Sequence, residues 1–224
     1  MTKVTFYGHA CFTLEKEGTT IIFDPFLDGN PLSPSKSEDI KADYILLTHW
    51  HVDHLGDTFK IAKKQGSTVV STFEMAKACE ARGMKAHTMH LGGKHSFDFG
   101  YVRVTPAFHG SGIPGGHACG FIVKFFDHII YHTGDTCLFS DMKLMGELEK
   151  VDLAMVPIGD NFTMGISDAT MAVEMINPKV VIPMHYNTFP VIECDPQDFK
   201  AEVEKATESQ AVILAPGESY HLSL

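Results

Sequence analysis

The chain has 224 residues, with 18 Lys and Arg against 28 Asp and Glu, a formal charge of −10 with histidine neutral. Hydrophobic residues at 44% and charged residues at 21% exclude a disordered chain, and the length suits a single layered α/β domain over residues 1–224. The acidic balance argues against nucleic acid as a partner, and no apolar run approaches the ~20 residues of a membrane span. Thirteen histidines call for a chemical reason.

Short apolar runs bounded by turn residues recur from the start. Val4–Tyr7, Cys11–Leu14 and Thr20–Phe23 read as strands, and the Asn-, Pro- and Ser-rich stretch 29–37 reads as a loop. Tyr44–Thr48 is a buried strand. The spacing of Leu55, Phe59 and Ala62 predicts one helix over 55–65, followed by a strand at 68–71 and a helix at 73–82.

The second half repeats this style. Tyr101–Pro106 is a strand, and 121–126 with 128–132 forms a hairpin around Asp127. A helix at 142–150 precedes a strand at 153–157, and a helix at 167–176 has Ser167 as its N-cap. A strand at 180–183 runs into His185. Asp195-Pro196 opens a helix to about residue 208, and strands at 212–214 and 219–222 close the chain. Two strand-rich halves, each with helices for an outer face, predict a two-sheet sandwich covered by helices on both sides.

Thr48-His49-Trp50-His51-Val52-Asp53-His54 places four metal donors within six residues, straight after a buried strand. His49 and His51 are two apart and point the same way on an extended loop, whereas the adjacent Asp53 and His54 must diverge. One cation on the first pair and a neighbour on the second accounts for that pattern. Further donors are expected at strand ends, where His109, Asp135 and His185 stand.

This ordered set of a His-x-His-x-Asp-His motif, a His, an Asp and a final His resembles the metallo-β-lactamase superfamily. The strings Gly8-His9-Ala10-Cys11, Gly134-Asp135-Thr136, Pro157-Ile158-Gly159-Asp160 and Phe162-Thr163-Met164-Gly165 resemble its metal-dependent hydrolases similar to ascorbate-6-phosphate lactonases. The resemblance implies a four-layer αββα fold. It assigns one divalent cation to His49, His51 and His109, a second to Asp53, His54 and His185, and a bridging place to Asp135. Zinc leads as the metal, with manganese, iron, nickel or cobalt also suited to such donors. A metal-bridging hydroxide would attack a small ester, lactone or phosphoester, with Asp53 orienting it and His9 at the rim as substrate contact or proton donor.

The alternatives are a phosphodiesterase on a nucleotide or phospholipid-like substrate and a non-catalytic metal sensor. Arg82 and Arg103 are the chain's two arginines, which weakens a phosphate clamp. The absence of a Cys among the motif donors speaks against a β-lactam substrate, and His51 against the di-iron redox relatives. Asp57 is either a partner for a ligand imidazole or a helix first-turn acid. Phe162 and Phe189 are expected as apolar pocket walls, His117 as the best further pocket histidine, and Cys11 and Cys137 as buried inert thiols. Five scattered cysteines without a CxxC pair, and an N-terminus without signal-peptide features, point to reduced thiols in a cytoplasm. The expected partner is a small-molecule substrate, with homo-oligomer formation left open.

Overall fold

The computed structural model describes residues 1–223. The first half supplies β1 (Thr2–Phe6), β2 (Phe12–Lys16), β3 (Thr19–Phe23), β4 (Tyr44–Leu46), α1 (Val52–Leu55), α2 (Thr58–Gln65), β5 (Thr68–Thr72), α3 (Phe73–Glu80) and β6 (Lys85–Met89). The second half continues with β7 (Lys94–Phe97), β8 (Gly100–Pro106), β9 (Cys119–Phe125), β10 (His128–His132), α4 (Met142–Leu148), β11 (Leu153–Pro157), α5 (Ile166–Ile176) and β12 (Val180–Met184). It ends with α6 (Pro196–Ala206), β13 (Gln210–Ala211) and β14 (Ser219–Leu222).

Two seven-stranded sheets form, in the orders β14-β1-β2-β3-β4-β5-β6 and β13-β12-β11-β10-β9-β8-β7. Each is antiparallel on one side and parallel on the other: β1, β2 and β3 pair antiparallel and β3 to β6 parallel, while β7 to β10 pair antiparallel and β10 to β13 parallel. The last strand, β14, returns to pair with β1 and completes the first sheet.

Alternation builds the layers. Ile21, Phe23, Leu46 and Val70 face the second sheet, where Val104, Phe121, Val123, Met155 and Ile182 meet them. Their chain neighbours Ile22, Ile45, Leu47 and Val69 pack outward on Ile61, Ala62 and Cys79 of the first helical layer. On the other side Tyr131, Ala154, Val156 and Val181 pack on Ala169, Val173, Phe199 and Val203. Strands buried on both faces read as continuous apolar runs, and the expected αββα layering holds.

Local readings needed correction where backbone geometry overrode pattern. The single helix expected over 55–65 is broken after Leu55, because Gly56 turns with φ +40° against Pro25, and a Cβ there would lie 2.4 Å from the Pro25 carbonyl oxygen. The break leaves α1 as one turn that carries Asp53 and His54. β6 and β7 escape hydrophobic periodicity because they are polar edge strands, β6 half-buried and β7 largely exposed. α5 starts at Ile166 with Gly165 as N-cap, so Ser167 is in its first turn and caps nothing. The strand expected at 212–214 is instead Gln210–Ala211. Asp195 does cap α6, its side chain accepting from the Gln197 amide.

Candidate metal centre

Donors collect at one edge because the parallel strands of both sheets deliver their C-terminal ends there. Asp24 follows β3, Thr48 and His49 follow β4, Asp135 follows β10 and His185 follows β12. His109 comes from the segment after β8, and His9 from the turn between β1 and β2. Three of these residues hold positive-φ backbone, Asp24 at φ +40°, His9 at +59° and His185 at +56°. That conformation strains a non-glycine residue and persists where its surroundings over-determine it. Here the His185 amide donates to the His9 carbonyl at 2.7 Å, tying the two sheets together beneath the site.

The predicted donors converge in two groups, the second joined by His9, which was expected as a substrate contact or proton donor. His49, His51 and His109 offer nitrogens that lie within 4.8 Å of one another, and so do His9, Asp53, His54 and His185 with one donor atom each. Asp135 stands between the groups. Its Oδ2 is 3.0 Å from His185 Nε2, 3.3 Å from His54 Nε2, 3.6 Å from His109 Nε2 and 3.9 Å from His49 Nε2. Among the described residues, His54 Nε2 and Asp135 Oδ1 are buried without a hydrogen-bond partner. Buried orphan polar atoms cost free energy unless something satisfies them. Imidazole and carboxylate donors suit a divalent transition metal, so the residues present fit such a group.

Hydrogen bonds fix which nitrogen His49 and His54 present. Thr48 Oγ1 donates to Asp24 Oδ2 at 2.6 Å, so it must accept from His49 Nδ1 at 3.0 Å, which leaves the His49 Nε2 lone pair facing the site. His54 Nδ1 donates to the same Asp24 oxygen at 2.7 Å, which turns its Nε2 toward Asp135. One fully buried carboxylate therefore orients a histidine of each group. Asp24 was absent from the sequence reading; its available signal was the acid directly ending the apolar run Thr20–Phe23.

Burial and fixed charges set the protonation of these groups. Burial holds His49 and His109 below the ordinary histidine value, and their neighbouring imidazoles add to that. Burial opposes charge on His54 too, but Asp135 and Asp24 outweigh it and push its pKa well above 6.5 when no cation is present. Burial likewise resists charge on Asp135, and the facing His185 and His54 hold its carboxyl well below the usual range.

His9 is not at the rim. It is fully buried among Phe26, His54, His185 and Phe189. Burial lowers its pKa to about 4, so it is neutral at pH 7 and Asp53 is ionised. A carboxylate only accepts, hence His9 Nε2 donates to Asp53 Oδ2 at 3.0 Å and His9 Nδ1 accepts from the Thr188 hydroxyl at 2.9 Å. His9 thus reaches the pocket only through Asp53, and direct substrate contact is ruled out in this arrangement.

Other sequence expectations separate cleanly. Asp57 partners no imidazole: it accepts from the Leu27 and Asp28 amides and from Lys60, pinning the segment after β3 to α2. His117 is exposed and its ring neighbours His90 at 5.4 Å, away from the pocket. His132 is buried, stacked on Phe23, and braces the site from behind through Ala10 and Gly134. Cys11 is buried, with its thiol pKa pushed up by burial, whereas Cys137 is exposed, contrary to expectation. The glycine-rich stretch 110–120 lies against His51: a Cβ on Gly112, at φ +72°, would be 2.9 Å from His51 Cδ2.

A pocket of about 210 Å³ opens onto the donors, floored by His51, Asp53, His109, Asp135 and His185, with Phe162 and Phe189 as its walls. Both phenylalanines are where the sequence placed them.

Two stacked mixed sheets with flanking helices and a His/Asp cluster at one edge define a metallo-β-lactamase fold. The beta-lactamase superfamily domain matches residues 3–185. The chain is 52% identical over 221 residues to a UPF0173 metal-dependent hydrolase of Natranaerobius thermophilus, covering 99% of this chain and all of that one. It is 52% identical over 223 residues to another from Symbiobacterium thermophilum, covering 98% of this chain and all of that one. Among solved structures it resembles Igni18, a metallo hydrolase of Ignicoccus hospitalis, with a TM-score of 0.93, 36% identity and 99% of both chains covered. The metallo-beta-lactamase fold protein YhfI of Bacillus subtilis shares the fold with a TM-score of 0.76 at 12% identity, covering 99% of this chain and all of that one. The chain belongs to the beta-lactamase superfamily and, within it, to the UPF0173 metal-dependent hydrolase family.

Proposed function

We propose that the protein is a metal-dependent hydrolase that holds two divalent cations and cleaves a small ester, lactone or phosphoester. The observation that carries this reading is the position of Asp135 Oδ2, within 3.0–3.9 Å of a nitrogen from both donor groups. In this assignment His49, His51 and His109 hold one cation, Asp53, His54 and His185 the other, and Asp135 serves both. The family of its relatives, named metal-dependent hydrolases, supports the reaction class. The lactone part of the substrate class rests only on the resemblance of the short strings to those of ascorbate-6-phosphate lactonases.

Bound divalent cations supply Lewis acidity and bring a water's pKa toward 7. The chain's own contribution is orientation and proton handling. Thr48 presents the His49 Nε2 lone pair, and Asp24 orients His54 so that its Nε2 faces the site, where a cation would take the place of its proton. Asp53 lies in the pocket with Oδ2 fixed by His9, so it accepts a proton from an attacking water in a constant orientation. Thr188 and His9 are positioning residues for that carboxylate.

Metal content and turnover test the reading together. Two cations per chain after reconstitution with Zn²⁺ or Mn²⁺, with hydrolysis of a panel of lactones, aryl esters and phosphodiesters, is the expected result. Fewer than one cation per chain overturns the binuclear assignment. Full metal content with no turnover across the panel replaces the enzyme with a metal sensor.

A further inference from the structure

Resting on the hydrolase reading, we infer that the pocket selects a neutral substrate with a compact apolar group, an aryl ester or aryl-bearing lactone, over an anionic one. The walls make the first part of the case. Phe162 leaves 56% of its surface exposed at the pocket mouth, although a phenylalanine ring gains about 1.5–3 kcal/mol on full burial. Its placement is built into the turn after β11. Asp160 and Asn161 are consecutive non-glycine residues with left-handed backbone, at φ +60° and +50°. The turn is fastened by the Asp160 amide donating to the Met164 carbonyl at 3.0 Å and by the Asp160 side chain accepting from the Asn161 amide at 2.8 Å. Strain of this kind holds where surrounding contacts over-determine the backbone. Opposite, Phe189 is half-buried and packs its ring edge-on to His9 at 5.6 Å, which makes it the fixed wall.

Charge supplies the second part. None of the residues lining the pocket is Lys or Arg. Both arginines are committed elsewhere: Arg82 lies over the Trp50 and Phe59 rings at 5.4 and 5.5 Å, and Arg103 pairs with Glu149 at 3.0 Å. Three carboxylates, Asp24, Asp53 and Asp135, stand at the centre, and they offset three of the roughly four positive charges that two divalent ions would bring. Asp24 is the decisive addition. Counting it, with one hydroxide included, the integer sum at the site is about zero, so a second negative charge on the substrate finds no net attraction. A volume of about 210 Å³ is below the roughly 300–1,000 Å³ of drug-sized clefts, which limits the group to one ring or a short branched chain.

The test pairs substrates that share a leaving group and differ in charge. On zinc-loaded protein, phenyl acetate is expected to exceed monophenyl succinate, whose free carboxylate carries the charge, by at least about tenfold in kcat/KM. Phe162→Ala should raise KM for the phenyl ester severalfold with kcat little changed, since the ring contributes binding rather than chemistry. Saturation-transfer NMR on chelated and zinc-loaded protein gives a readout without turnover. Benzyl alcohol should bind and benzoate should not, with the alcohol signal lost in the Phe162→Ala/Phe189→Ala double variant. Equal or faster hydrolysis of the anionic ester, or equal binding of benzoate to the zinc-loaded protein, overturns this inference and leaves the hydrolase reading intact. If no ester, lactone or phosphodiester is cleaved, the hydrolase reading falls. The alcohol and benzoate binding then decides the pocket's selectivity by itself.

Discussion

The two donor groups are built by different means. In the group of Asp53, His54 and His185, with His9 beneath, two of the three donors are clamped by hydrogen bonds: Asp24 holds His54, and Thr188 through His9 holds Asp53. In the group of His49, His51 and His109, only His49 is tied to a carboxylate, through Thr48 to Asp24, while His51 Nδ1 meets His49 Nε2 at 3.0 Å. His51 is instead wedged by backbone, with Gly110 and Gly112 lying against its ring, and both His51 and His109 are partly exposed. A site can thus fix an imidazole either by a charged partner or by close packing of glycine, and the two have different failure modes. Loss of a charged partner weakens binding without moving the chain, whereas filling the glycine space moves the chain itself.

The largest effect that would break this comparison is at the residue common to both groups. Asp135→Ala should remove at least one cation per chain and lower kcat/KM by roughly 10³-fold, a barrier change of about 4 kcal/mol. Elemental analysis alongside steady-state rates measures both, and retention of two cations with high activity would show that Asp135 does not join the groups. Next, Asp24→Asn should weaken cation affinity about 10–100-fold at both groups, as expected when an orienting partner is lost. Titration against a competing chelator reads it, and a defect confined to one cation would separate the direct clamp on His54 from the relayed clamp on His49.

Gly112→Ala sharpens the contrast between clamping and wedging. A Cβ 2.9 Å from His51 and a left-handed backbone predict a cost of about 1–3 kcal/mol, or a melting temperature lower by roughly 2–12 °C. Cation loss should be limited to the His51 group, which a calorimetric titration with two resolved sites would detect.

The acid stability of the chelated protein probes the clamped group. His9 has a pKa of about 4 in the fold against 6.5 when unfolded. The unfolded chain therefore takes up a proton that the fold refuses, and stability falls as pH drops from about 6.5 to 4. The shift corresponds to about 3 kcal/mol, and His9→Gln should flatten that part of the dependence in urea unfolding measured in EDTA. A wild-type and variant difference that stays constant over this range would contradict a neutral, buried His9. The smallest effect is expected for Thr188→Val, which removes one donor to His9 and should cost about 1 kcal/mol, or severalfold in kcat, with cation content unchanged.

Much of this site was legible from the residues because its donors are carried on short-range signals. His49, His51, Asp53 and His54 sit within one loop and one helical turn, and His109, Asp135 and His185 each follow an apolar strand. Asp24 carried the same signal, an acid at a strand end, but an acid there is also an ordinary turn residue. Only the neighbouring strand, which brings Thr48 beside it, reveals its work. The edge strands β6 and β7 were hidden for a related reason: pairing on one side and solvent on the other leave no apolar period to read.

Strand and helix periodicity were enough to determine two sheets with helices on their outer faces, and motif spacing picked out the His and Asp residues that converge at one edge, since both depend on residue types at fixed short separations. Tertiary structure decided the rest. It took His9 from the rim to a buried place under Asp53, gave Asp24 both clamps, and turned Asp57 away from the imidazoles to fasten a loop. It also left the pocket lining without a Lys or Arg. These features depend on which strands lie side by side and on how much water is excluded between them, quantities set by long-range packing that no local stretch of sequence contains.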